Sequence, residues 1–150
     1  MKKLYAVIDT NVLVSALLTK NPEAPPAQVL RAVLNGQIIP LYHPDITKEY
    51  REVLNRKKFG FSPQLTEALI SAIESFGMKI FPQPTGEHLI DMSDLIFYEV
   101  AMEKQDEDAR LVTGNLKHYP IKECIVTPAE MLAILHNNRT NNEKRQEDTP

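Results

Sequence analysis

Leu4-Tyr5-Ala6-Val7-Ile8-Asp9-Thr10-Asn11-Val12-Leu13 is the stretch whose reading decides the fold. Its first half is an apolar run without turn formers and reads as a buried strand over residues 3–8. Asp9 ends that run, and a helical pattern follows over residues 11–18, with Val12, Leu13, Ala16 and Leu17 on one side. A carboxylate so placed stands at the carboxyl end of a buried strand, where open α/β sheets bind their ligands.

The rest of the chain repeats the alternation. Pro22, Pro25 and Pro26 mark a loop, and Pro26 is suited to open a helix that carries Val29, Leu30, Val33 and Leu34 and stops at Gly36. Residues 37–42 read as a second strand. Pro44-Asp45 begin a helix with Ile46, Tyr50, Val53 and Leu54 on one apolar stripe. Ser62-Pro63 cap another that runs to Gly77, and residues 78–81 read as a strand. A helix over 91–103, a strand over 110–113, a last strand over 124–127 and a helix from Pro128 through Leu135 complete the pattern. Strands that alternate with helices across short loops predict a parallel α/β sandwich with helices on both faces. One domain over residues 1–136 is expected. The tail, 137–150, has no aliphatic residue and no core face, and is expected to be disordered.

Composition narrows the class. A chain of 150 residues with 43% apolar and 25% charged side chains is an ordinary globular domain. No apolar run approaches the ~18 residues of a membrane span, and Asp9-Thr10-Asn11 break the first apolar segment too early for a signal peptide. The single cysteine, Cys124, excludes an internal disulfide. It fits a reducing cytoplasm and reads as a small buried hydrophobe. A net charge of −3 argues against a dedicated duplex-binding protein. A local basic patch can still steer a phosphate backbone, and Lys48, Arg51, Arg56, Lys57 and Lys58 are its candidates. A solvated helix face explains the same residues.

Three acids are candidates for chemistry, and each alone has a plain structural explanation. Asp9 could cap the helix behind it. Glu49 lies three residues after Ile46 and four before Val53, at the border of the apolar stripe, whereas Glu52 points farther toward water. Asp91, in Asp91-Met92-Ser93-Asp94, suits an N-cap, which puts Asp94 in the first turn where the helix dipole favours negative charge. Asn115, after Thr113-Gly114, can cap the turn over 116–119 or offer a carbonyl oxygen to a metal. The four histidines, His43, His88, His118 and His136, share no ligand spacing and read as surface or edge residues. If the acids converge, repulsion between buried carboxylates calls for a cation. Magnesium suits one or two carboxylates with waters and substrate phosphate. Asp9 and Asp94 would then bind the ion, and Glu49 would position or deprotonate the attacking water. Thr10, Asn11 and Thr113 would orient the acids or the phosphate.

Taken together the motifs resemble the PIN-domain nuclease family. Ile8-Asp9-Thr10-Asn11-Val12-Leu13-Val14-Ser15 and Ile46-Thr47-Lys48-Glu49-Tyr50, with Val53-Leu54, look like its opening motifs. Asp91-Met92-Ser93-Asp94 ahead of Phe97 and Ala101, and Leu111-Val112-Thr113-Gly114-Asn115, look like its later ones. The resemblance spans residues 4 to 135. By pattern it is nearest the small bacterial and archaeal proteins described as toxins of toxin–antitoxin pairs. It implies a three-layer, Rossmann-like α/β/α fold with a central, mainly parallel sheet, and Mg²⁺- or Mn²⁺-dependent cleavage of single-stranded RNA. It also implies a small antitoxin protein as partner; a homodimer is a further expectation, and the lack of a long apolar run implies no membrane. Asp9, Glu49 and Asp94 match the family's three core acids. Its fourth acid usually follows Thr-Gly, where this chain has the neutral Asn115, and Leu95 replaces a polar residue common after the third acid.

Two other classes compete. A catalytically inactive RNA- or partner-binding domain would keep the fold, and Asn115 favours it. Another metal-dependent α/β phosphohydrolase would use Asp9 too. Haloacid-dehalogenase-like enzymes place a second aspartate where Asn11 stands, and a flavodoxin-like receiver would need an acidic pair before its first helix.

Overall fold

The computed structural model describes the backbone of residues 3–147 and the side chains of residues 3–140. Five strands form one sheet in the order β3-β2-β1-β4-β5, and every pairing is parallel. They are β1 (Leu4–Ile8), β2 (Ile38–Tyr42), β3 (Met78–Lys79), β4 (Arg110–Val112) and β5 (Ile125–Val126). Six α-helices lie among the described residues: α1 (Thr10–Leu18), α2 (Pro25–Leu34), α3 (Pro44–Leu54), α4 (Pro63–Phe76), α5 (Leu95–Glu103) and α6 (Pro128–Glu147). The architecture is the expected three-layer α/β/α sandwich.

The central strands show why this order forms. In β1 and β2 four of five positions are buried, the near-continuous burial of strands covered on both faces. Helix α5 packs over β1, β2 and β4, while α2 lies against β2 and touches α1, α4 and α6. Apolar side chains of the sheet and helices, including Ile8, Leu13, Ile38, Leu41, Ile70, Phe97 and Leu111, merge into one core.

Helix starts follow local chemistry. Ser62 Oγ accepts the Leu65 N–H at 3.1 Å ahead of Pro63 at the first helical position. His43 Nδ1 accepts the Asp45 N–H at 3.0 Å and so caps α3. The sequence predicts only a surface or edge place for His43. Two helix boundaries differ most from the sequence reading. A short 3-10 turn over Met92–Asp94 precedes α5, so Asp94 sits at the junction of two elements. Helix α6 continues past Leu135 to Glu147, through residues assigned to the polar tail. The apolar pattern ends at Leu135, but Glu143, Lys144, Arg145, Gln146 and Glu147 are good helix formers in their own right. The end of that tail, residues 148–150, lies outside the described residues.

Gly77 joins α4 to β3 with no room for a side chain. A Cβ there would meet Pro40 O at 2.3 Å and Ile73 O at 2.6 Å, both rigid backbone atoms. Gly77→Ala is therefore expected to cost about 1–3 kcal/mol, as overpacking does, with a lower urea midpoint and an unchanged slope of the transition.

Candidate functional site

The parallel register builds the site first. Ile8 pairs with Val112 across β1 and β4, so the next residues, Asp9 and Thr113, leave the sheet side by side. In the strand order the chain passes from β1 to β2 on one side and reaches β4 on the other. The crevice between the ends of β1 and β4 is thus a topological switch point of the sheet. The backbone N–H of Asp9 bonds Val112 O at 2.9 Å, which extends the ladder to the site's edge.

Asp9 is 5% exposed. Its Oδ2 accepts hydrogen bonds from the Thr113 hydroxyl at 2.8 Å and the Tyr119 hydroxyl at 2.9 Å. It stands at the N-cap position of α1 without a geometrically formed side-chain cap bond, and the backbone amides of Thr10 and Asn11 favour its charge less than Thr113 and Tyr119 do. Burial pushes its carboxyl above the usual range, against the pull of those donors. Glu49 comes from α3, where Ile46, Tyr50 and Leu54 are buried and Lys48 and Glu52 are exposed. Half-buried at the border of that stripe, its carboxylate accepts a short hydrogen bond from the Thr10 hydroxyl. Desolvation raises its pKa, and Asp9, Asp94 and Asp91 add to the rise. Asp94, 9% exposed, is raised by burial first and by Asp9 next.

The three acids therefore feel one another, and no lysine or arginine makes an ion pair with any of them among the described residues. Among the described residues the one basic-type side chain in contact with them is His118, whose Nδ1 lies 3.1 Å from Asp94 Oδ2. Among the described residues no three aspartate, glutamate, histidine or cysteine side chains converge as a finished ligand cage. The donors still suit a hard divalent cation: oxygen ligands, mutual repulsion and no internal counter-charge.

The supporting residues divide. Asn11 Oδ1 accepts the Gly114 N–H at 2.9 Å, and Asn115 N–H donates to Thr113 Oγ1 at 3.0 Å, so the loop after β4 is tied to the start of α1. The close approach suits Gly114, where a Cβ would lie 3.2 Å from Asn11 Oδ1. Asn115 precedes the 3-10 turn Leu116–His118 but makes no side-chain cap bond. Asp91 does cap: its Oδ1 accepts from Ser93 N–H at 3.0 Å and Ser93 Oγ at 2.7 Å, and it is exposed. Lys48 and Glu49 line a groove of about 460 Å³ together with Glu52, Met92, Ser93, Leu95 and Ile96. Arg51 is not brought to the acids. It forms a two-pronged pair with Glu67 at 2.9 and 3.0 Å, and Glu74 lies 3.7 Å away, so its charge is committed to α4.

Sequence reading missed three residues. Tyr119 and His118 reach Asp9 and Asp94, the histidine from the surface or edge position that the sequence predicts. The buried Tyr50 donates a short hydrogen bond to Ile8 O and so fixes α3 against the end of β1. The only signal for the first two was their place, directly after the Thr113-Gly114-Asn115 element at the carboxyl end of a strand.

Comparison with known proteins agrees with this geometry. The family model described as PIN domain matches residues 5–117. The chain belongs to the PIN-domain family. PIN domains are generally nucleases, which generally use divalent metal ions, so hydrolysis of nucleic acid is the class of chemistry this fold serves. A search of curated proteins finds no match.

The raised carboxyl of Asp9 fixes a sign. The folded acid holds its proton more tightly than the unfolded one, so stability is full at low pH and falls as pH rises through the folded pKa. Asp9→Asn retains an oxygen to accept from Thr113 and Tyr119 while removing the charge. In EDTA the variant is expected to melt a few degrees above the wild type at about pH 8 and level with it at about pH 4. A gap that does not widen with pH, followed by calorimetry, contradicts the burial argument.

Proposed function

We propose that the protein is a metal-dependent endoribonuclease that cleaves single-stranded RNA. The observation that carries the reading is the meeting of Asp9, Glu49 and Asp94 at the switch point with no lysine or arginine to balance them among the described residues. Asp9 and Asp94 would hold Mg²⁺ or Mn²⁺, with the Asn115 carbonyl as a neutral third oxygen donor. A cation there supplies charge neutralisation for phosphate oxygens and lowers the pKa of water.

The chain's own groups perform the remaining work. The Thr10 hydroxyl holds one oxygen of Glu49. The raised pKa of that carboxylate brings it nearer the value useful to a general base that takes a proton from water. Thr113 keeps Asp9 in place, and Asn11 holds the loop that carries Thr113 and Asn115. Lys48, exposed in the groove beside Glu49, is placed to meet a phosphate. Arg51, paired with Glu67, serves the packing of α3 on α4 and is left out of substrate binding. A toxin's role, a small antitoxin partner and self-association belong to the same reading and rest on the resemblance of the motifs, while a cytoplasmic location rests on Cys124 as the single cysteine.

Glu49→Gln is expected to lower Mn²⁺-dependent cleavage of single-stranded RNA by about 10²-fold or more, while Glu52→Gln stays near wild type. EDTA should stop the reaction. Equal losses in both variants would show that Glu49 has no special place in the site. Binding of RNA without cleavage at any metal concentration would favour the other reading, an inactive binding domain, to which Asn115 points.

Asn115→Asp tests the missing fourth charge. The added carboxylate would share the crevice with three others, at a cost in stability without metal. The variant is expected to melt below wild type in EDTA and above it in millimolar Mn²⁺. Melting curves indifferent to metal in both proteins would remove Asn115 from the site.

A further inference from the structure

Two consecutive residues of one turn reach two different acids. The 3-10 turn Leu116–His118 is fixed at its start, where Asn115 N–H bonds Thr113 Oγ1 and Gly114 N–H bonds Asn11. It is fixed internally by His118 N–H to Asn115 O and Tyr119 N–H to Leu116 O, both at 3.1 Å. Tyr119 then leaves the turn in an extended conformation, φ −121° and ψ 159°. Its side chain thereby departs from the direction of His118. Tyr119 goes into the core, 6% exposed, and donates to Asp9 Oδ2 at 2.9 Å. His118 stays at the surface of the crevice with its Nδ1 at 3.1 Å from Asp94 Oδ2.

We propose that His118 and Tyr119 are paired positioning residues that hold the carboxylates of Asp94 and Asp9 in place for the cation. The inference rests on the reading of those two acids as cation ligands. Both donors orient a carboxylate without a permanent positive charge. A lysine or arginine at either position would balance the acid permanently and compete with a metal for it. The Tyr119 phenol has no tendency to ionise there, because burial and the nearby acids hold its pKa far above the usual value, so it remains a donor. An ionised Asp94 only accepts, so the contact places a proton on Nδ1 of His118. The turn follows Asn115 directly, so the segment that lacks a fourth carboxylate supplies a hydrogen bond to each of two others. Groups of this kind commonly govern metal affinity through the ligands they orient.

Calorimetric titration of the intact protein with Mn²⁺ tests the pair, with melting in EDTA as a separate readout. Tyr119→Phe and His118→Ala are each expected to weaken Mn²⁺ binding by about 10- to 100-fold. His118→Asn should restore it to near wild type, because the asparagine Nδ2 stands at the same number of bonds from the backbone as the imidazole Nδ1. Affinity unchanged in Tyr119→Phe and His118→Ala, with Asp9→Asn abolishing binding, would overturn the positioning role and leave the metal reading intact. A loss in only one of the two would overturn the pairing, and so would an asparagine no better than alanine at position 118. A lower melting temperature in EDTA with unaltered affinity would reduce both residues to packing. A wild type that binds no Mn²⁺ would instead overturn the reading on which the inference rests.

Discussion

The buried charge of Asp9 is the constraint on which the rest of the site depends. A carboxylate this far from water is costly unless donors meet it. The fold supplies two hydroxyls to a single oxygen, from Thr113 beside it on the sheet edge and from Tyr119 on the following turn. Those donors come from a part of the chain a hundred residues away in sequence, |i−j| being 104 and 110. The β1–β4 register must be correct for either to reach. A slip of one residue would turn Thr113 away and leave Asp9 among apolar side chains. The site and the sheet are thus specified by the same pairing.

Around Asp9 the structure adds charge of the same sign. Glu49 and Asp94 are both pushed toward protonation by burial and by their acidic neighbours. Such crowding lowers stability without a counter-ion. Hydroxyls, an imidazole and backbone amides manage the cluster, while Arg51, two residues from Glu49, turns to α4 instead. The negative field in the crevice therefore stays available to a cation.

Much of the architecture was legible because parallel α/β folds write themselves locally. Apolar runs such as Leu4–Ile8 cannot be solvated, and Pro63 after Ser62 and Gly77 after Phe76 punctuate a helix in ways any context respects. The short edge strands, β3 and β5, were placed with longer bounds than they have, since an edge pairs only where its neighbour extends. Helix α6 runs past its apolar pattern because periodicity detects burial, and a helix can outrun the surface it packs on.

The sequence by itself determined the alternation of strands and helices, the place of Asp9 at a strand end and the border position of Glu49 on its apolar stripe. Each of these depends on residues within one or two turns of chain. It also offered a cap for Asp9 and another for Asn115, and local information had no means to choose. Only the tertiary structure decided, by giving Asp9 two distant hydroxyls that outweigh the amides of its own helix and by leaving Asn115 without a side-chain cap bond. It likewise paired Arg51 with Glu67 and set His118 and Tyr119 against Asp94 and Asp9. Those assignments are set by which strands lie side by side, a long-range consequence of burying the whole core that no short window of sequence contains.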